Sequence, residues 1–408
     1  MITWISSFRA WFATLSIRRK ALWVVAVLIV IQGLYLTGRR FLLGLGSVTN
    51  LSDHFPWGLW IGFDVMGGVA LAAGGFTLCC LVYIFGYHRY HSIVRPTVLT
   101  AFLGYLLVAV GLLYDLGKYF NIWHAIVFWN PHSVMFEVAW CVMLYLTVLF
   151  MEFLPVVFEK FKWGKALRVM QKITIPLILA GVILSTLHQS SLGSLFLIAP
   201  EKLHTLWYTP ILPLLFFMSA VAVGPAMVIV ESSLSSRLFH RSLELPILAD
   251  LARFLQVALI LYIGVRVQDI FVRGVQADMF VFQFETINFW LENLLFIVPF
   301  VILALPGKRY NKTWLFSSAA MVVAGVVYNR LNVSWVGMLR ASGAHYSPRI
   351  SEIGVSVFLV TAGMIAFYFI AKWFPVFPSE EDHANGHEAG TSAGKADVAV
   401  SPAKPENF

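Results

Sequence analysis

Apolar residues run almost unbroken through ten stretches of this chain, near residues 21–37, 57–86, 95–120, 133–158, 173–190, 208–232, 247–272, 280–305, 314–332 and 352–376. A bilayer core of about 30 Å needs about 20 apolar residues per helical crossing, which most of these runs supply. They are continuously apolar and lack the ten-residue alternation of a barrel strand, so the pattern predicts helices. An all-α integral membrane protein with about ten transmembrane helices follows. A basic segment, residues 1–20, precedes the first span. Residues 377–408 are Ala, Gly, Glu, Lys and Pro without periodicity and read as a disordered tail.

Composition agrees with the pattern. Of 408 residues, 59% are hydrophobic and 12% charged, against about 25% charged in soluble chains. The three cysteines, Cys79, Cys80 and Cys141, lie inside apolar runs and form no CxxC pair. No iron–sulfur cluster, zinc or covalent haem is therefore expected in this chain, and any metal redox chemistry is expected of a partner. The net charge of +8 does not point to nucleic acid, because the basic residues are dispersed through short loops. Their sidedness orients the chain instead. The amino terminus, the even-numbered loops and the tail carry 19 Lys and Arg, and the odd-numbered loops carry 8. That asymmetry is expected to place both termini in the cytoplasm, with the chain as an inner-membrane bundle. Ser16-Ile-Arg-Arg-Lys20 is twin-arginine-like, but no small-residue cleavage site follows the first run, which is expected to stay as a span. His383 and His387 in the tail read as solvated.

Polar residues inside apolar runs are costly, about 2.5–3.5 kcal/mol for an ionised group at a helix centre on insertion scales, and so become functional candidates. Asp64, Asp115 and Glu137 all fall at predicted depths in the outer leaflet. The plain alternative for Asp115 is an ion pair with Lys118, one turn further on. No histidine is expected at mid-span; His54, His124, His132, His188 and His204 read as helix ends or outer loops. A haem b between helices wants two axial histidines at matched depth, and no pair qualifies clearly, His132 with His188 coming nearest. No haem is predicted. The run His188-Gln189-Ser190-Ser191-Leu192-Gly193-Ser194 ends the fifth span with donors and acceptors beside apolar walls. Alone it reads as a helix terminus. Joined by Asn130, His132, Glu137, Asp115 and Asp64 at similar depth, it reads as a pocket for a ring-shaped lipid-soluble molecule. The glycines of the second span read as packing positions.

On the seventh and eighth spans, Arg266 stands three residues from Asp269 and Glu285 seven from Glu292. Arg266 and Glu285 fall at similar depth, so a buried ion pair between them is expected to be possible. Two readings stay open for these charges: helix packing, or a proton path with Glu292 as one station.

The run Gly44-Leu-Gly-Ser-Val-Thr-Asn-Leu-Ser-Asp-His-Phe-Pro-Trp-Gly-Leu-Trp-Ile-Gly-Phe-Asp64, then Val94-Arg-Pro96, Ser133-Val-Met-Phe-Glu137, His188 to Ser194, and Phe289-Trp-Leu-Glu292, resembles the HybB-type membrane subunits of nickel–iron hydrogenases. These sit within the NrfD, or polysulfide reductase membrane-subunit, family. The likeness spans about residues 40–376, with order and spacing kept. It implies two four-helix bundles plus two peripheral helices, and menaquinone or ubiquinone bound near the outer face. It also implies electron exchange with a periplasmic iron–sulfur protein and its catalytic subunit. On this reading His188, Gln189, His132, Asn130 and Asp64 are quinone-binding candidates, and Asp115, Glu137 and Glu292 proton carriers. The fold also serves cytochrome c-linked quinone reductases and sulfur-respiration complexes, so it does not select the catalytic partner. A secondary transporter is the rival class; transporters usually carry broken helices with midplane sites.

Overall fold

The computed structural model describes residues 16–343 and 346–377. The expected tail from residue 378, with His383 and His387, and most of the basic amino terminus lie outside the described residues. Among the described residues, ten helices are long and apolar enough to cross a membrane. They are α1 (Ile17–Leu43), α2 (Trp60–Ile84), α3 (His91–Asp115), α4 (Val134–Phe161) and α5 (Gly164–Ser194). The second half holds α6 (Leu212–Leu238), α7 (Leu245–Val272), α8 (Phe284–Ala304), α9 (Lys312–Ser334) and α10 (Ile350–Trp373).

Neighbouring helices sort into α2–α5 as one four-helix bundle and α6–α9 as another, joined where α5 and α2 meet α6 and where α9 meets α2. Helices α1 and α10 pair with each other and lean on α3 from outside. The glycines of α2 are the reason the helices can come this close. A Cβ on Gly62 would lie 2.3 Å from Ser334 Oγ of α9, and one on Gly75 2.6 Å from Ala101 Cβ of α3.

Contacts between loops fix the up-and-down threading. At one end Asn50 donates to the Ser347 carbonyl, the His204 N–H to the Gly337 carbonyl, and Arg340 to Gln283 Oε1. At the other, Ser92 donates to Glu244, Arg95 to the Pro375 carbonyl and Arg19 to His240. This second end carries most of the basic side chains and is called the basic end below. Arg253, which the apolar pattern puts within a span, stands at this end too, 58% exposed and beside Asp250.

The helices outrun the apolar stretches where polar residues have partners. α1 continues through Thr37-Gly-Arg-Arg40 because Arg40 turns inward: its Nε donates to the Tyr114 carbonyl at 2.6 Å and an Nη to the Leu116 carbonyl at 2.5 Å. Those are carbonyls at the carboxyl end of α3, where a cation is favoured. Arg330, near the end of the ninth apolar run, is likewise inside α9. It lies 3.7 Å over the Phe216 ring and donates to Ser219 Oγ at 2.8 Å.

Helix α2 is irregular. It is wound as wide π-helical turns over Trp60–Gly67 and again over Cys80–Ile84, and is interrupted at Ala72–Ala73. There the Ala73 N–H bonds to the Ala70 carbonyl at 3.1 Å, one residue closer than an α-helix would reach, and so does not serve the Val69 carbonyl.

Candidate functional site

The freed Val69 carbonyl sets the geometry of the site. Gln189, fully buried on α5, donates Nε2 to it at 2.9 Å. Because a carbonyl can only accept, this fixes the amide orientation and leaves Oε1 as the outward atom. Oε1 is buried and has no partner among the described residues. The adjacent His188 is 0% exposed; its Nδ1 lies 3.1 Å from the Tyr105 hydroxyl of α3, and its Nε2 is buried without a partner. Tyr105 stands edge-on to Tyr145 of α4, with ring centroids 4.6 Å apart. Buried polar atoms are nearly always paired, so two orphans on consecutive residues call for a ligand.

The helix bearing them is longer than the apolar run: α5 reaches Ser194 and continues as a tight turn to Ile198. His188 is therefore inside the span rather than at its end, a correction to the sequence expectation. Its reason is that Ser190, Ser191 and Ser194 satisfy their hydroxyls on carbonyls one turn back, as Ser191 Oγ does on His188 O at 3.2 Å, and so do not stop the helix.

The other candidates divide. Asp64, in the first π-helical segment, is buried and accepts from Ser356 Oγ of α10 at 2.5 Å. A Cβ on Gly111 would lie 3.2 Å from Asp64 Cβ, so this carboxylate sits against α3 one turn before Asp115. Asp115 is the last residue of α3; its Oδ1 is buried and unpartnered, and Arg40, Asp64 and Glu352 form its charged surroundings. The ion pair with Lys118 does not form among the described residues, because α3 ends at Asp115 and Lys118 is exposed beyond it. Glu352, missed in the sequence because it reads as a helix start, is fully buried and accepts from the Asn50 N–H at 2.8 Å and from the Tyr346 hydroxyl. Burial, with Glu352 as its acceptor, pushes the Tyr346 phenol up, which keeps it a donor.

Asn130, His132 and Glu137 are all exposed and are not gathered with His188. Asn130 and His132 belong to the turn ahead of α4, and Glu137 lies on its first turn, where the helix dipole favours a carboxylate in solvent. Sequence depth gives the height of a residue, not the direction it faces. Tyr105, Tyr145 and Ser185 were missed for the converse reason: single polar groups within apolar runs look like packing.

In the second bundle Arg266 pairs with Glu292, not with Glu285, which faces Arg340 at 3.3 Å. Glu292 also accepts from Asn329 Nδ2 at 2.8 Å, Asn332 Nδ2 at 2.7 Å and Trp207 Nε1 at 2.9 Å. Asp269 is held by Arg273 at 2.8 Å and Thr209 at 2.6 Å. Around Glu292 and Asp269 the charges are paired, although Glu231 on α6 of the same bundle keeps both carboxylate oxygens buried and unpartnered among the described residues.

Residues 47–340 match the family described as polysulphide reductase, NrfD, and that match covers most of the ten-helix domain. The chain belongs to the NrfD family. It is a multi-pass membrane protein similar to HybB-type subunits over most of its length. It is 40% identical over 377 residues to a protein of Nitratidesulfovibrio vulgaris, covering 89% of this chain and 96% of the relative. It is 34% identical to the probable Ni/Fe-hydrogenase 2 b-type cytochrome subunit of Escherichia coli K12, covering 91% and 96%. It is 27% identical to the menaquinone reductase integral membrane subunit of N. vulgaris, covering 90% and 94%. The HybB likeness seen in the motifs thus extends over nearly the whole chain, with the fold it implied.

Proposed function

We propose that this chain is the quinone-binding subunit of a respiratory oxidoreductase complex in the bacterial inner membrane. It exchanges electrons between a periplasmic iron–sulfur subunit and the menaquinone or ubiquinone pool, in a hydrogenase-type complex, with the basic end in the cytoplasm. The observation that carries this reading is that two consecutive residues of α5 each leave a buried polar atom open, His188 Nε2 and Gln189 Oε1. A quinone oxygen accepts a hydrogen bond and a quinol hydroxyl donates one; an imidazole N–H and an amide oxygen between them answer both redox forms. The names of the E. coli and N. vulgaris relatives support hydrogenase and menaquinone chemistry.

In this reading Asp64 and Asp115 are the carboxyl groups that exchange protons near the opposite end, with Arg40 setting the charge of their surroundings. Asn130, His132 and Glu137 stand apart from that cluster and are given no role at the quinone. The four donors around Glu292 favour a packing role, since it holds no free lone pair toward a proton donor. The interruption of α2 is the kind of break transporters use, but its freed carbonyl is taken by Gln189 and is not offered to an ion.

Gentle detergent purification with identification of the accompanying subunits tests the assignment. An iron–sulfur protein with a nickel–iron subunit pair is the expected result. A multihaem cytochrome or a sulfur-compound reductase would move the chain to a different complex, and isolation with no redox partner would contradict the reading.

A further inference from the structure

At the basic end of the first bundle, a cavity of about 280 Å³ opens between α3, α4 and α5. Its wall is largely apolar but carries a polar set: His91, Gln171 and Thr174 line it, with the Arg95–Glu159 pair at 2.9 Å and Glu152. Arg95 and Glu159 neutralise each other, but Glu152 has no hydrogen-bond or ion-pair partner among the described residues. A lone carboxyl group in this half-buried wall is unexplained by packing, since an ionisable group drawn partly out of water without a partner costs stability.

Beyond Glu152 the polar groups continue inward in register. Tyr145 is two turns earlier on the same face of α4. Gly181, Ser185 and His188 follow one another at spacings of four and three on one face of α5. Glu152 and Tyr145 converge on Gly181: the position a Cβ there would take is 3.2 Å from Glu152 Oε1 and 3.6 Å from Tyr145 Cε2. The Ser185 hydroxyl is buried within reach of both the Tyr145 and Tyr105 phenols, in a rotamer that completes a hydrogen bond to neither. Tyr105 closes the series on His188 Nδ1 at 3.1 Å, while Nε2 stays open on the far side of the ring.

We propose that Glu152, Tyr145, Ser185 and Tyr105 form a proton relay from the basic-end cavity to His188. The inference rests on the reading of His188 as the residue that meets quinone. Quinone reduction to quinol takes two electrons and two protons. The electrons come from the iron–sulfur partner, and each relayed proton enters His188 at Nδ1 as the Nε2 proton leaves for a quinone oxygen. Two hydroxyl carriers and a serine that rotates suit the task, because a hydroxyl accepts on one side while it donates on the other. Proton uptake for chemistry inside the bundle would then come from the basic end. Glu152 does not touch quinone; it positions and supplies protons through the tyrosines.

The test uses the assembled complex in vesicles, with reduced viologen as donor, a water-soluble naphthoquinone as acceptor and an impermeant pH indicator on the side of the basic end. The unaltered complex takes up protons from that side. Glu152→Gln and Tyr145→Phe, each still assembled with its partners, are expected to lower quinone turnover and this uptake at least tenfold, and Glu152→Asp to restore both substantially. Should Glu152→Gln not assemble, Tyr145→Phe, which removes only an oxygen, decides alone. Unchanged turnover and uptake in Tyr145→Phe would overturn the relay. An unaltered complex that reduces no quinone would instead contradict the quinone reading, and the relay with it.

Discussion

Gln189 of α5 donates to the Val69 carbonyl of α2 at 2.9 Å, at the point where α2 is interrupted. The bond closes a backbone defect between two fully buried residues, one position along α5 from His188. Gln189→Leu keeps the volume but leaves that carbonyl bare, at a cost of about 1–3 kcal/mol. The thermal midpoint of the purified protein in detergent should fall accordingly; an unchanged midpoint would mean that the carbonyl finds another donor.

The fold was legible because helical membrane crossings are written in hydropathy, and each apolar run became one helix. What the pattern could not show was where polar residues extend a helix. Arg40 and Arg330 look like flanks on hydropathy but are interior, because their guanidinium groups find carbonyls and an aromatic ring only after folding. The site was half legible. The depths of Asp64, Asp115 and His188 drew attention to polar residues that the structure places inside the first bundle, yet the same reasoning drew in Glu137 and His132, which are exposed. Tyr105 carried no signal, its neighbours on the helix face being apolar, and Tyr145 carried none beyond its spacing of seven to Glu152.

Arg266 and Glu292 form a buried ion pair that holds α7 to α8, with the Asn329 and Asn332 amides of α9 on the same carboxylate. Arg266→Met strands that carboxylate and should cost about 3–5 kcal/mol, seen as loss of folded protein in size-exclusion chromatography. Glu292→Gln, whose amide oxygen still accepts some of the donors, should lose less and keep quinone turnover. Normal folding with abolished proton-coupled turnover in Glu292→Gln would restore it as a proton station.

The threading and the excess of basic residues at one end predict that residues 198–212 face the periplasm. In a background lacking Cys79, Cys80 and Cys141, cysteines at the exposed positions Lys202 and Lys165 should differ on intact spheroplasts. An impermeant thiol reagent should label position 202 and spare 165. Labelling of 165 alone would invert the protein.

The E. coli relative is named a b-type cytochrome subunit. In this chain His188 Nδ1 is engaged by Tyr105, and His132, its nearest sequence candidate for a second axial ligand, is exposed ahead of α4. The dithionite-reduced minus oxidised spectrum of the purified chain should show no haem band. A stoichiometric b-type signal lost in His188→Ala would make this residue an axial ligand.

The central claim is that His188 meets the quinone. In the intact complex, naphthoquinone reduction by His188→Ala should fall at least a hundredfold, while reduction of a soluble dye at the partner subunits persists, because the dye does not need the membrane site. Quinone reduction at the unaltered rate in His188→Ala would contradict the claim.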